Sequence, residues 1–222
     1  FKVKGKTLLE YQIERLKRVR QPNTLIVATT QNEKDQSIVA ICKQEKISYY
    51  TGSEDDVLDR YLKTARHYDI DVVVRLTADC PLIDPDLIDK LLDEFLSHYP
   101  EYDYFSNTIE RTFPRGMDIE IFKRRSLEEA HSESFLSSDR EHVTPFIYRH
   151  PERYKLGSYR YSEDHSSYRW TVDTQEDFTL IEKMLESILP KKPHFNLRDL
   201  LDLAQEHPDW KLLNRHVEQK KI

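Results

Sequence analysis

Two aspartates stand where an α/β sheet delivers its chemistry. Asp79 directly follows the apolar run DVVVRLTA, Asp173 directly follows RWTV, and each lies just ahead of a predicted helix. Open α/β sheets bind ligands outside the carboxyl ends of their strands. Two carboxylates supplied there by separate strands would suit Mg2+, which prefers hard oxygen donors and takes one or two carboxylates together with substrate phosphates. The same positions also suit helix capping, because an acid ahead of a helix accepts from free N–H groups and complements the dipole. Spacing alone leaves both readings open. Cys80, next to Asp79, has no neighbouring histidine in the sequence to activate it and reads as a small buried apolar residue. His131, His150, His165 and His194 lack ligand spacing and read as surface residues. Two Asp-x-Asp pairs, Asp69 with Asp71 ahead of a strand and Asp84 with Asp86 at a helix start, are not where a strand-end metal motif would lie.

The elements that must position these residues alternate through the first hundred positions. Leu8, Leu9, Ile13, Leu16 and Val19 recur at helical spacing within 7–20, and Pro22–Asn23 ends that helix. Residues 24–29 (TLIVAT) read as a buried strand, 32–44 as an amphipathic helix and 47–50 as a second strand, followed by a turn at Gly52. Ser53 with Asp56 resembles a capping box for a helix through Tyr68. Residues 71–76 are the most apolar run, and their β-branched side chains predict a central parallel strand buried on both faces. Asp84 and Pro85 start the next helix.

After 102 the rhythm changes. Strands at 102–106 and 118–122 flank a Pro114–Arg115–Gly116 turn, Ser126 with Glu129 caps a helix, and 140–151 holds another. Residues 154–161 alternate like a strand with one open face, RWTVD is a last strand, and Thr174 and Asn196 cap two final helices. The expected fold is α/β, a doubly wound, mostly parallel sheet in one domain over 1–222 with an excursion at 102–168.

Composition narrows the function classes. The 222 residues carry 34 Lys and Arg against 40 Asp and Glu, a net charge of −6, with a pI near 5.9. Basic residues are scattered among acids, which argues against a chain built to grip nucleic acid or an anionic membrane. Mean hydropathy is low at −0.74, yet 13 tyrosines and the Leu, Ile and Val runs suffice for a sizeable core. Two cysteines make neither a disulfide framework nor a multi-cysteine zinc site, so the expected location is the reducing cytoplasm. No apolar run approaches the roughly 20 residues of a membrane span. The start, FKVKGKTLLEYQIERL, reads as going directly into a helix rather than as a signal peptide.

Specificity comes from longer strings. RLTADCPLIDPDLID, PRGMDIEIF, REHVTPFIYRHPE and RWTVDTQEDFTLI, with GKTLLEYQIERL and GSEDDVLDRY before them, resemble in order and spacing the cytidylyltransferase family of the spore-coat polysaccharide biosynthesis protein F type. These are relatives of the CMP-sialic acid and CMP-3-deoxy-octulosonate synthetases, and the resemblance spans nearly the whole chain. It implies the nucleotide-diphospho-sugar transferase sheet and transfer of CMP from CTP to a sugar acid, with release of pyrophosphate, for polysaccharide biosynthesis. It further implies Mg2+ on Asp79 and Asp173, and pairing of two copies through the 102–168 excursion. Thr77 and Ala78 belong to the string that reads TGD in relatives, so they fall at the nucleotide, where the Ala78 methyl would crowd a close ligand. The family also places a strand and a triphosphate loop of the form RxGSxRLPGK before the first helix, and no such string precedes Phe1 here.

The remaining charged candidates keep two readings each. Arg60 either reaches the nucleotide or pairs with Asp56. Arg75, inside a strand, meets either a buried carboxylate or a phosphate, since an unpaired buried charge is costly. Arg115 and Glu120 are candidates for the sugar-acid pocket, Arg offering a carboxylate its bidentate fork, or else belong to an exposed hairpin. Arg140 is a further candidate substrate contact. Two other function classes fit the same residues: a glycosyltransferase on a similar sheet, and a non-catalytic relative that binds a nucleotide or a partner.

Overall fold

The chain starts with a hairpin that the sequence reading misses. The computed structural model describes residues 1–21 and 24–218, so the helix stop read at Pro22–Asn23 lies outside the described residues. Strands β1 (Lys2–Val3) and β2 (Lys6–Thr7) are joined through Lys4 and Gly5, whose φ angles are 47° and 86°. Two consecutive left-handed residues are the type I′ solution, which a sequence usually advertises with Asn-Gly or Asp-Gly. Thr7 then caps α1 (Leu8–Leu16): its hydroxyl accepts from the Glu10 N–H, and the Glu10 carboxylate accepts from the Thr7 N–H at 2.7 Å. The helix stops at Leu16, short of the predicted Arg20.

Further along the chain lie β3 (Ile26–Thr30), α2 (Gln36–Glu45), β4 (Ser48–Gly52), α3 (Val57–His67), β5 (Val72–Arg75) and α4 (Pro85–Ser97). They are followed by β6 (Tyr104–Ser106), β7 (Glu120–Lys123), α5 (Arg124–Glu133), α6 (Ser137–His142) and α7 (Pro145–Tyr148). Strand β8 (Leu156–Ser158) and helices α8 (Gln175–Ile188) and α9 (Leu197–Glu206) complete the fold. No helix among the described residues is long and apolar enough to cross a membrane.

The strands form a parallel pair, β3 with β4, and a four-stranded sheet in the order β5-β7-β6-β8. In the latter β7 runs antiparallel to β5 and β6, and β8 parallel to β6. The expected central parallel strand at 71–76 is therefore corrected: β5 is the end strand of its sheet, with an antiparallel partner. Its apolar run has another cause, the cover on its two faces. Val72 and Val74 pack into the large core under α1, α4, α8 and α9, while Val73 packs into a second core under α3, α5 and α7. Phe105 and Tyr104 on β6, and Ile121 and Phe122 on β7, divide between the cores in the same way. Side chains alternate with a period of two, so each strand feeds both layers and the sheet is doubly wound.

Three further readings change. Ser126 is not a cap but a buried residue inside α5, which starts at Arg124. The 140–151 helix is broken in two at Val143, whose φ of 74° and ψ of −53° close a γ-turn with Thr144 N bonded to the His142 carbonyl at 2.9 Å. RWTVD is extended but joins no sheet. It touches the PRG turn through a single bridge between Arg115 and Arg169, and its next N–H, from Val172, is taken by the Asp79 carbonyl at 2.9 Å.

That bridge depends on Gly116. With φ at 98°, it brings the turn so close to RWTVD that a Cβ at 116 would sit 2.5 Å from the Trp170 carbonyl oxygen. Gly5 is also left-handed, but a Cβ there would meet nothing within 4 Å. Gly116→Ala is expected to cost about 2–5 kcal/mol, the sum of ~1–2 for backbone strain and ~1–3 for overpacking. Gly5→Ala carries only the strain, about 1–2 kcal/mol. Urea unfolding midpoints of the two variants give the comparison.

Candidate active site

Helix α1 clamps the loop that carries Asp79. Gln12 Nε2 donates to the carbonyls of Thr77 at 2.7 Å and Cys80 at 3.1 Å, and Arg15 Nε donates to the Ile83 carbonyl at 2.7 Å while its guanidinium stacks 3.8 Å from the Phe195 ring centre. The Asp79 carboxylate is then aimed by the Thr171 hydroxyl, which donates to Oδ2 at 2.6 Å. Because Val172 N bonds the Asp79 carbonyl, Asp173 follows on the adjacent backbone. The two aspartates read from the sequence are thus brought to one end of the molecule by Thr171 and Val172. Asp173 is half exposed, and its Oδ2 accepts from Arg169 Nη2 at 2.6 Å.

Arginines surround this pair. Arg111 forks onto Asp118 at 2.7 and 2.8 Å. Burial, with the like charges of Arg111 and Arg169 close by, holds the pKa of Arg115 below its ordinary value. Cys80 is buried against Thr77, Thr171 and Asp79. Burial, with the charges of Asp79 and Asp118, pushes its thiol well up, so it stays protonated and inert. Thr77 contributes its anchored carbonyl, and Ala78 is exposed at the loop tip.

The other candidates are placed elsewhere. Arg60 stands at the carboxyl end of β4, its stem over Gly52 and its guanidinium donating to the Ser53 carbonyl, with Nε lacking a partner among the described residues. It does not pair with Asp56. Asp56 caps α3 through the Asp59 N–H and accepts from Arg140 Nε at 3.0 Å, while Arg140 also reaches the His131 carbonyl. Ser53, expected as the cap, accepts from Asp56 N one turn earlier. Glu120 is buried and committed: one oxygen takes Arg75, the other accepts from Tyr104 Oη at 2.7 Å and from the Thr144 hydroxyl. Arg75 has therefore found a buried carboxylate, and the Glu120 and Arg140 charges tie elements together at these positions.

Neither Asp-x-Asp pair is a metal motif. Asp69 and Asp71 bracket Arg124 at 2.9 and 2.8 Å, and Asp84 caps α4 while accepting from Leu197 N. Sequence reasoning missed Gln12, Arg111, Asp118, Thr171, Arg169 and Asp177. For Gln12 no local signal exists, since its targets lie more than sixty positions away. Asp177 was findable: it stands three residues after Thr174 and completes a capping box at the start of α8.

The layers described above are those of the nucleotide-diphospho-sugar transferase fold, and the CMP:2-keto-3-deoxy-manno-octonic acid synthetase solved in complex with CTP shares it, with a TM-score of 0.62 at 14% identity over 84% of this chain and 90% of that one. More narrowly, the chain belongs to the cytidylyltransferase family, whose model matches residues 1–222. A cytidylyltransferase from Leptospira borgpetersenii superposes with a TM-score of 0.90 at 34% identity, covering 100% of this chain and 90% of that one. An uncharacterized protein of Methanocaldococcus jannaschii is 34% identical over 99% of this chain and 88% of its own length. The spore coat polysaccharide biosynthesis protein SpsF of Bacillus subtilis is 29% identical over 84% of this chain and 77% of its own length.

Arg169 and Asp177 hold the site's outer wall. Arg169 Nε and Nη2 reach the fully buried Asp177 at 2.9 Å each, and Asp177 also accepts from Asn214 at 2.7 Å and from Asp173 N. Burial alone would raise the Asp177 pKa, but these bonds outweigh it and hold the carboxyl below its usual range. A depressed folded-state pKa gives stability that is present above the unfolded value, about 3.9, and lost as pH falls through the folded value. Asp177→Asn is expected to lower the thermal midpoint near neutrality and to flatten the fall in stability below about pH 4, which melts across a pH series will read.

Proposed function

We propose that this chain transfers CMP from CTP to a hydroxyl of a sugar acid, releasing pyrophosphate, with Asp79 and Asp173 as the residues that hold Mg2+. One observation supports the reading: the Val172–Asp79 backbone bond and the Thr171 hydroxyl join the loop that carries Asp79 to the segment that carries Asp173, in a chain of the cytidylyltransferase family. The donor set fits a hard cation. It consists of carboxylate oxygens, and the one thiol beside them, Cys80, is kept protonated. When bound there, Mg2+ supplies Lewis-acid neutralisation of phosphate charge.

The chain's own groups do the positioning. Thr171 orients Asp79, Arg169 orients Asp173, and Gln12 fixes the loop between β5 and α4 through two carbonyls. Arg115 lies on the acceptor side and offsets developing negative charge. The acceptor oxygen forms a bond to the α-phosphorus as the bond to pyrophosphate breaks in line, and the hydroxyl proton is released to water. Little covalent chemistry is asked of the protein beyond alignment and charge neutralisation. Arg60, at the carboxyl end of β4, and Thr77 with Ala78, at the end of β5, are proposed to face the nucleotide. The relationship to SpsF supports a product used in polysaccharide biosynthesis.

Pyrophosphate release from CTP, screened over sugar acids with and without Mg2+, tests the activity. Asp79→Asn and Asp173→Asn are each expected to lower kcat by about 100-fold or more while leaving the unfolding midpoint close to that of the parent. Full Mg2+-dependent turnover in both variants would reduce the two acids to scaffold.

The same reading includes pairing of two copies through 102–168. It is supported by the open outer edge of β8 and by Phe135 and Leu136, 91% and 59% exposed between α5 and α6. Sedimentation at micromolar concentration is expected to show a dimer, and Phe135→Ser with Leu136→Ser to weaken it.

A further inference from the structure

A second concave surface adjoins the aspartate pair, and its chemistry is one-sided. Arg115 of the PRG turn, residues 166–169 and the stretch 211–217 border a half-open cavity of about 210 Å³, room for an oxyanion with bound water. Arg115, Arg169, Lys211 and Arg215 line it, with Ser167 and Asn214, and no carboxylate among the described residues does. Arg169 is already matched by Asp173 and Asp177. Arg115, Lys211 and Arg215 have no ion pair among the described residues, in a chain of net charge −6.

The cations are held ready. Lys211 Nζ donates to the Ser167 hydroxyl at 2.9 Å and lies 4.9 Å from the centre of the Tyr168 ring. Its short helical turn, Pro208–Leu212, is braced by His207 stacked on Trp210 with ring centres 4.1 Å apart. Asn214 ties the stretch inward through the Arg169 carbonyl at 3.0 Å and Asp177 at 2.7 Å. Arg115 is fixed from both sides of its backbone, its N–H bonded to the Tyr168 carbonyl and its C=O to Trp170 N. Like charges gathered in a partly buried cavity repel, and an anion entering it removes that cost.

We propose that this cavity is an oxyanion subsite that seats the carboxylate or phosphate of the acceptor. The lining is rich in donors suited to such a group: planar Arg forks, a Lys point charge and a hydroxyl. Arg169 joins the subsite to Asp173, so an acceptor anchored here by its anion presents its remaining atoms toward the aspartate pair. That the occupant is the acceptor rests on the cytidylyltransferase reading; that the cavity takes an oxyanion does not. The carboxyl-terminal stretch, far from the family-like strings in sequence, thereby becomes a specificity element.

Titration calorimetry at low salt with two probes, inorganic phosphate and gluconate, tests this on the full chain. Lys211→Gln with Arg215→Gln removes two cations without touching the core. Arg125→Gln with Arg198→Gln, both exposed and remote from the cavity, is the charge-matched control. The first pair is expected to weaken the tighter probe by about 10-fold or more, with the control and CTP binding each within about twofold of the parent. Tighter binding of gluconate marks a sugar acid as the acceptor, tighter binding of phosphate a phosphorylated one. The subsite is overturned if neither probe binds the parent up to about 20 mM or if the control weakens binding equally. It is also overturned if CTP affinity falls in parallel, which would give the cavity to the nucleotide. Pyrophosphate release is scored separately, so an inactive chain that still binds the probes through Lys211 and Arg215 would count against the proposed reaction and not against the subsite.

Discussion

A short run of backbone hydrogen bonds holds the functional end of this molecule together. Arg115 exchanges bonds with Tyr168 and Trp170, and two residues later Val172 bonds the Asp79 carbonyl. Neither partner of Asp79 belongs to a sheet, so no ladder enforces the arrangement. It exists because Gly116 lets the turn approach the Trp170 carbonyl more closely than any side chain permits. Thr171, Arg169 and Asp173 take their places from that contact, and through it they meet Asp79 on the loop that Gln12 anchors. A site built on side-chain packing would tolerate compromise; one built on backbone contact at van der Waals limits does not.

Behind this end, charge is handled by pairing within the scaffold. Arg75 and Glu120 lie opposite each other in the β5–β7 register, and Tyr104 and Thr144 complete the acceptor capacity of the carboxylate. A one-residue slip of β5 against β7 would separate the two charges and move every valine to the other core. A buried pair of this kind adds little net stability over apolar replacements, but it penalises wrong registers heavily. Arg140 does the analogous service between α6 and α3 through Asp56. The γ-turn at Val143 is where the backbone bends so that Thr144 can reach Glu120 while Arg140 reaches Asp56.

How much of this was legible beforehand follows from range. Helices α4, α8 and α9 were readable because capping chemistry at Asp84, Thr174 and Asn196 is local. The doubly wound layers were readable from the valines of β5, since burial on both faces is written in side-chain type. The strand's place at an end of the sheet was not, because neighbours contribute backbone, which leaves no residue-type signature. Asp79 and Asp173 were singled out by position, and the resemblance to the cytidylyltransferases strengthened that. Glu120 and Arg140 were drawn toward substrate because a charged residue in a family-like string looks the same whether it faces solvent or a buried partner. Gln12, sixty-five residues from the carbonyl it anchors, lay beyond any local pattern.

The carboxyl-terminal stretch has one more property, and it is optical. The chain contains two tryptophans. Trp170 is buried in the segment that contacts Gly116, and Trp210 lies face to face with His207; both border the small hollow that Arg169 shares with Met184. All indole emission therefore originates within one region, beside the aspartate pair and the cationic cavity. Trp210 leaves that hollow if the Pro208–Leu212 turn undocks, so its emission doubles as a gauge of whether the turn is docked. Occupancy at this end can be followed by tryptophan emission excited beyond the tyrosine absorption band, where the chain's 13 tyrosines do not contribute.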